Sequence, residues 1–288
     1  MNIFTKNKFK ILTGTGIMFL LSLIDPNSQV QANICQNNPA TFPNSCSKTP
    51  EVYKPRIYEM GFCKSDPLAG TTATGVNNNT NTDNKIDEST CIPTFESETG
   101  SVVNLAIIGQ AYILNGKNTK PAAGTYPYIY VKLSNTTILK GKQLVNDVPF
   151  YSSSDGTATK DIADYVEWEN KVIDFEKGVQ CEPLVSNRLM AAAGEYTTGV
   201  TGELKAMLAH MNNGKIEGTT AADCGISTLV YGSFKPTSPI VISESTKGLE
   251  INFTITDTGL SIVPWSGPNN SEVGYFSTGA FLPHFIIF

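Results

Sequence analysis

Six cysteines, Cys35, Cys46, Cys63, Cys91, Cys181 and Cys224, all follow a basic and then apolar N-terminal stretch. An even number of thiols behind an export leader predicts disulfides, and disulfides limit the chain to folds that bring those positions together. Pairing between sequence neighbours is the simplest arrangement: Cys35–Cys46, Cys63–Cys91 and Cys181–Cys224. None of the spacings is of the CxxC type that zinc sites use, so no metal is expected on the thiols. The leader itself spans 1–32. Lys6, Lys8 and Lys10 form its basic part, Ile11 to Ile24 its apolar part, and Pro26 and Asn27 end it. Val30-Gln31-Ala32 places the expected cleavage after Ala32. Thr13, Gly14, Thr15 and Gly16 interrupt the apolar run, which is short for a membrane span.

Composition removes several function classes. The chain has 288 residues, a net charge of −5, 16% charged residues and 40% hydrophobic ones. A nucleic-acid binder needs a basic footprint, and the balance is acidic. A disordered chain needs high charge and low hydrophobicity, the reverse of what is present. A helical membrane protein needs repeated long apolar stretches, and only the leader offers one.

The pattern downstream is mainly β. Residues 33–50 read as a disulfide-pinned arm, with Pro39, Pro43 and Pro50 and no period. Residues 51–288 read as one β domain. Residues 51–63 alternate as a strand with Pro55 near an edge. A long polar loop, 64–90, follows between Cys63 and Cys91. Residues 101–114 form a near-continuous apolar run, expected as buried strand. In 125–133, Tyr126, Tyr128, Tyr130 and Lys132 are expected on one face and Ile129, Val131 and Leu133 on the other. Leu249 to Ile255 and Leu260 to Pro264 alternate around Asp257-Thr258-Gly259 and suggest a hairpin. Helix is expected only between Cys181 and Cys224. Leu204, Met207, Leu208 and Met211 are spaced at i, i+3, i+4 and i+7, and Glu182 to Tyr196, with Leu189 to Ala193 inside it, suggests a second short helix. The expected fold is therefore an antiparallel, jelly-roll-like β-sandwich, disulfide-stabilised, with a helical excursion at about 182–213.

Chemical motifs are sparse. Glu167 and Glu169 flank Trp168, with Asp174 nearby, as the carboxylate pair of a glycosidase flanks a sugar; a solvated strand face with Trp168 turned inward explains the same pattern. Asp155 to Asp161 and Asp83 to Glu88 are oxygen-rich and could hold Ca²⁺, although neither has EF-hand spacing. His210 and His284 are the only histidines, and no GxSxG accompanies them. No catalytic residues are assigned.

The functional expectation follows from what remains. An exported, disulfide-pinned β protein with an apolar end suits a cell-surface appendage, filament or coat subunit, or an adhesin-like module. It would be found at the cell surface or outside the cell, with the periplasm as the alternative. Phe281, Leu282, Phe285, Ile286, Ile287 and Phe288 form a candidate self-assembly strand that could complete the sheet of another copy. A second reading is a carbohydrate-binding or carbohydrate-cleaving jelly roll, with Trp168 and Trp265 as glycan contacts. A third is an outer-membrane β-barrel, since such barrels often end in an aromatic residue, as this chain does at Phe288.

Overall fold

The computed structural model describes residues 8–9, 34–70, 85–107, 110–173, 175, 191–196, 202–219, 225–265, 272–279 and 282–288. Within them the chain is mainly β and almost entirely antiparallel. The largest sheet runs in the order Ala191–Tyr196, Gly202–Asn212, Leu229–Pro236, Tyr128–Ser134, Arg56–Cys63, Cys91–Val102, Lys117–Asn118. Lys215–Gly218 pairs with the far half of Gly202–Asn212. The two ends of this sheet do not meet, so it is open, and the barrel expectation is corrected accordingly.

Smaller sheets cover one face of the large one. Val52–Lys54, Thr136–Lys140 and Trp168–Lys171 form one. Cys46–Lys48, Leu260–Pro264 and Val273–Thr278 form another. A third is a terminal ribbon of Leu249–Thr254 and Leu282–Ile287. The main apolar core joins the layers. Ile57, Met60, Phe62, Ile129 and Leu133 enter it from the large sheet; Tyr53, Leu139, Phe253, Ile262 and Phe276 enter from the small ones. That is sandwich-like packing, driven by apolar area that neither layer buries alone.

The first expected helix is a strand, Gly202–Asn212, and so is the described part of the second, Ala191–Tyr196. Gly202–Asn212 pairs with Ala191–Tyr196 on one side and Leu229–Pro236 on the other. Met207, Leu208 and Ala209 are all buried because the strand is covered on both faces. A strand of this kind carries apolar residues at odd and even positions, and those include the helical set. The decisive local signal is the turn. Asn213 and Gly214 both have positive φ (48° and 78°), the two-residue hairpin geometry that Asn-Gly favours. Asn146 and Asp147, at φ 47° and 62°, do the same between Lys142–Val145 and Val148–Ser152.

Three other expectations change in detail. Leu249–Thr254 and Leu260–Pro264 are strands, but they do not form a hairpin. The turn that follows Ile255 sends the chain across to a different sheet, as happens at sandwich corners. Pro55 is not at an edge of one strand. It separates Val52–Lys54 from Arg56–Cys63, which belong to different sheets. The 101–114 run leaves the sheet after Val102. Val103, Leu105 and Leu114 are buried, whereas Ile107 and Ile113 face outward. A close approach explains one glycine: a Cβ on Gly61 would stand 2.2 Å from the Ile92 carbonyl oxygen, at a register irregularity in the Arg56–Cys63 strand.

The Cys35–Cys46 and Cys63–Cys91 disulfides form as the nearest-neighbour pairing expects. Disulfides of this kind suggest an oxidising, exported environment. Cys181 and Cys224 lie outside the described residues, as do the leader beyond Lys8–Phe9 and the 182–190 part of the expected helical excursion. No helix among the described residues is long and apolar enough to cross a membrane.

Candidate interaction surface

The C-terminal strand is an edge. Leu282–Ile287 pairs antiparallel with Leu249–Thr254, setting Ile286 opposite Glu250 and His284 opposite Asn252. No further strand lies beyond it among the described residues. The chain end is fastened: the Lys247 and Gly248 amides donate to the Phe288 carbonyl at 2.7 and 3.0 Å. Leu249, Ile251 and Phe253 turn into the core, and Ile287 packs against it. Ile286 and Phe288 point outward, 38% and 57% exposed. Of the six residues expected to form an assembly strand, Phe281 lies outside the described residues. The backbones of Leu282 and Phe285 are placed, their side chains are not described, and Pro283 between them sits where an edge tolerates a missing N–H. Among the described residues, the opposite edge of the ribbon carries Lys8 and Phe9, which pair in parallel with Glu250 and Ile251.

The two tryptophans part company. Trp168 is 3% exposed and packs edge-on to Phe276 at 6.3 Å, so it is not a glycan contact. This corrects the expectation for that residue. Alternation requires it, because Glu167 and Glu169 on either side face solvent. Glu167 is tied to Lys54 at 2.7 Å. Asp174 lies outside the described residues. Trp265 is 57% exposed at the end of Leu260–Pro264, with Tyr275 half-exposed on the neighbouring strand.

A polar cluster that the sequence did not announce lies on the other face of the large sheet, under the ends of the 64–90 loop. Lys132 Nζ stands 3.0 Å from Glu59 and 2.9 Å from Glu88. The Tyr130 hydroxyl donates to Glu59. Tyr130 and Tyr231 stack with centroids 5.7 Å apart. Burial, then the Glu59 hydrogen bond, pushes the Tyr130 phenol well above its ordinary range. Burial, then the charge of Glu88, does the same to Tyr231, whose hydroxyl has no well-directed hydrogen bond. Nearby, Lys205 binds Asp66 at 2.6 Å and the Leu68 carbonyl at 3.2 Å, while Leu68 itself is buried. Glu88, Asp66 and Leu68 all belong to the loop, so the cluster clamps the loop onto the sheet. The alternation of Tyr128, Tyr130 and Lys132 was the available signal. Tyr126 departs from it: it belongs to a separate short strand and packs against Phe62 in the main core.

The clamp predicts a stability effect. Lys132→Ala leaves Glu59 and Glu88 facing one another in a largely enclosed site, and should cost about 2–3 kcal/mol, because removing one member of a buried ionic set strands the others. Urea unfolding followed by circular dichroism measures it; a cost below about 0.5 kcal/mol would mean the set behaves as an exposed surface pair.

The oxygen-rich loops use their carboxylates locally. Asp155 accepts from Ser153 Oγ–H and from the Thr157 amide, and Asp161 accepts from the Ala163 amide as a helix cap. The Ser153 bond, followed by those from Thr157, holds the Asp155 carboxyl below its usual range. Its contribution is present above the unfolded value and is lost as acid titrates it through the lower folded value. Asp83 lies outside the described residues, and Asp87 accepts from the Ser89 amide. Among the described residues no group of three His, Cys, Asp or Glu side chains converges as a metal site. His210 Nδ1 is 3.4 Å from Thr219 Oγ1.

Comparison with known proteins returns no match: no family model, no curated protein and no solved structure resembles this chain.

Proposed function

We propose that this chain is an exported structural or interaction protein, a subunit of a cell-surface appendage, filament or coat or an adhesin-like module, that associates with copies of itself through the terminal ribbon. One observation supports this most: an apolar strand, Leu282–Ile287, sits at a sheet edge with Ile286 and Phe288 outward. An edge strand presents unpaired backbone donors and acceptors, and proteins that must stay single cover such edges, charge them or set Pro on them. Here no Lys, Arg, Asp or Glu interrupts 282–288, and Pro283 is the one residue of that kind.

Sedimentation velocity of the exported protein over a wide concentration range tests the reading. Mass should rise with concentration, and Ile286→Lys, which charges an exposed position without touching the core, should return the protein to monomer. A wild-type protein that stays monomeric throughout overturns it.

The glycan reading keeps one observation in its favour, the exposed Trp265 beside Tyr275, since an aromatic face offers a flat apolar surface with polar surroundings. Glycan-array binding that is lost on Trp265→Ala, with the fold intact, would replace the assembly reading. Trp168 no longer informs that test, because its loss disturbs the core.

A further inference from the structure

The terminal ribbon has two long edges, and they are not equivalent. The Leu282–Ile287 side has no partner among the described strands. The Leu249–Thr254 side is held at Glu250 and Ile251 by Lys8 and Phe9, a segment upstream of the expected cleavage after Ala32. This edge therefore accepts an extended segment, and the expected cleavage after Ala32 would vacate the positions that Lys8 and Phe9 hold.

We infer that the Leu249–Thr254 edge is the acceptor for the Leu282–Ile287 strand of a second copy, so that copies join head to tail. The inference rests on the self-assembly proposed above and names its two faces. Within one chain Leu282–Ile287 runs antiparallel to Leu249–Thr254. A neighbour's Leu282–Ile287 laid on the side of Leu249–Thr254 that faces Lys8 and Phe9 continues the same antiparallel alternation with every copy in the same orientation. Each copy then offers one donor edge and one acceptor edge. Such a contact is heterologous and does not close on itself, so it propagates as a fibre unless its rotation forms a ring. The donor strand spans six residues against the two that the leader supplies, and main-chain bonds grow with paired length.

Cysteines placed on separate chains test this. Glu250 and Ile286 are register partners inside one molecule, so each variant must carry only one of the new thiols. Exported Glu250→Cys, Ile286→Cys and His284→Cys proteins are prepared singly, then mixed and oxidised mildly, and the products are separated without reductant. The inference expects a covalent dimer when the Glu250→Cys protein is mixed with one of the other two, and little in any single-variant sample. Dimers confined to the single-variant samples would show each edge pairing with itself and overturn it. Association by sedimentation with no cross-link in any mixture would place the acceptor elsewhere, overturning the inference while self-assembly stands. Absence of association removes the underlying reading as well.

Discussion

Trp168→Ala lowers the free energy of unfolding by about 3–5 kcal/mol, the range for deleting a large buried aromatic. Trp265→Ala leaves stability within about 0.5 kcal/mol, as exposed substitutions do. The contrast follows from position. Trp168 lies in the core, against Phe276 and over Gly156, where even a Cβ would come within 2.7 Å of the indole nitrogen. Its removal opens a cavity where the Trp168–Lys171 strand packs on the Val273–Thr278 strand, and the backbone pairing on either side limits collapse into it. In a chain of this size the loss corresponds to a fall in melting temperature of about 10 °C. Calorimetry of the two variants measures both. Equal and small effects would mean that Trp168 does not sit in the core.

The second large effect comes from Cys63–Cys91. The bond joins register partners on adjacent strands and closes a loop with a sequence separation of 28. Chain-entropy arithmetic puts its contribution at about 3.5 kcal/mol, against about 3 kcal/mol for the separation of 11 at Cys35–Cys46. Replacing both Cys63 and Cys91 by Ala should therefore cost the larger amount, and protease cleavage within residues 64–90 should speed up. The clamp from Lys132 and Lys205 acts on the same loop, so the double cysteine variant combined with Lys132→Ala should depart from additivity. Urea unfolding under non-reducing conditions, with timed proteolysis, measures each. Unchanged stability in the double variant would show that the clamp alone holds the loop.

Class and staples were legible, and pairing was not. Period two at Tyr128–Ser134 and Leu249–Thr254 identified strands, because each has one face in the core and the other facing a different surrounding. It could not say which strand lies beside which. Leu249–Thr254 and Leu260–Pro264 are neighbours in sequence yet belong to separate sheets. Gly202–Asn212 misled for a definite reason: burial on both faces erases alternation, and the apolar set then satisfies a helical period too. Asn213-Gly214 held the correct answer, since that dipeptide is a stronger signal for a hairpin than for a helix end. Of the candidate surface, the C-terminal residues were visible as an apolar run, but their place at an edge depends on a partner strand some thirty residues away. The alternation at Tyr130 and Lys132 marked one side of the Glu59–Lys132–Glu88 set, but the set itself was not legible, because its members come from three separate stretches of chain.

Electron microscopy of the concentrated exported protein addresses the central claim most directly. Extended polymers of uniform width, absent from the Ile286→Lys variant, are the predicted result. A field of single particles, each the size of one chain, for both proteins would contradict it.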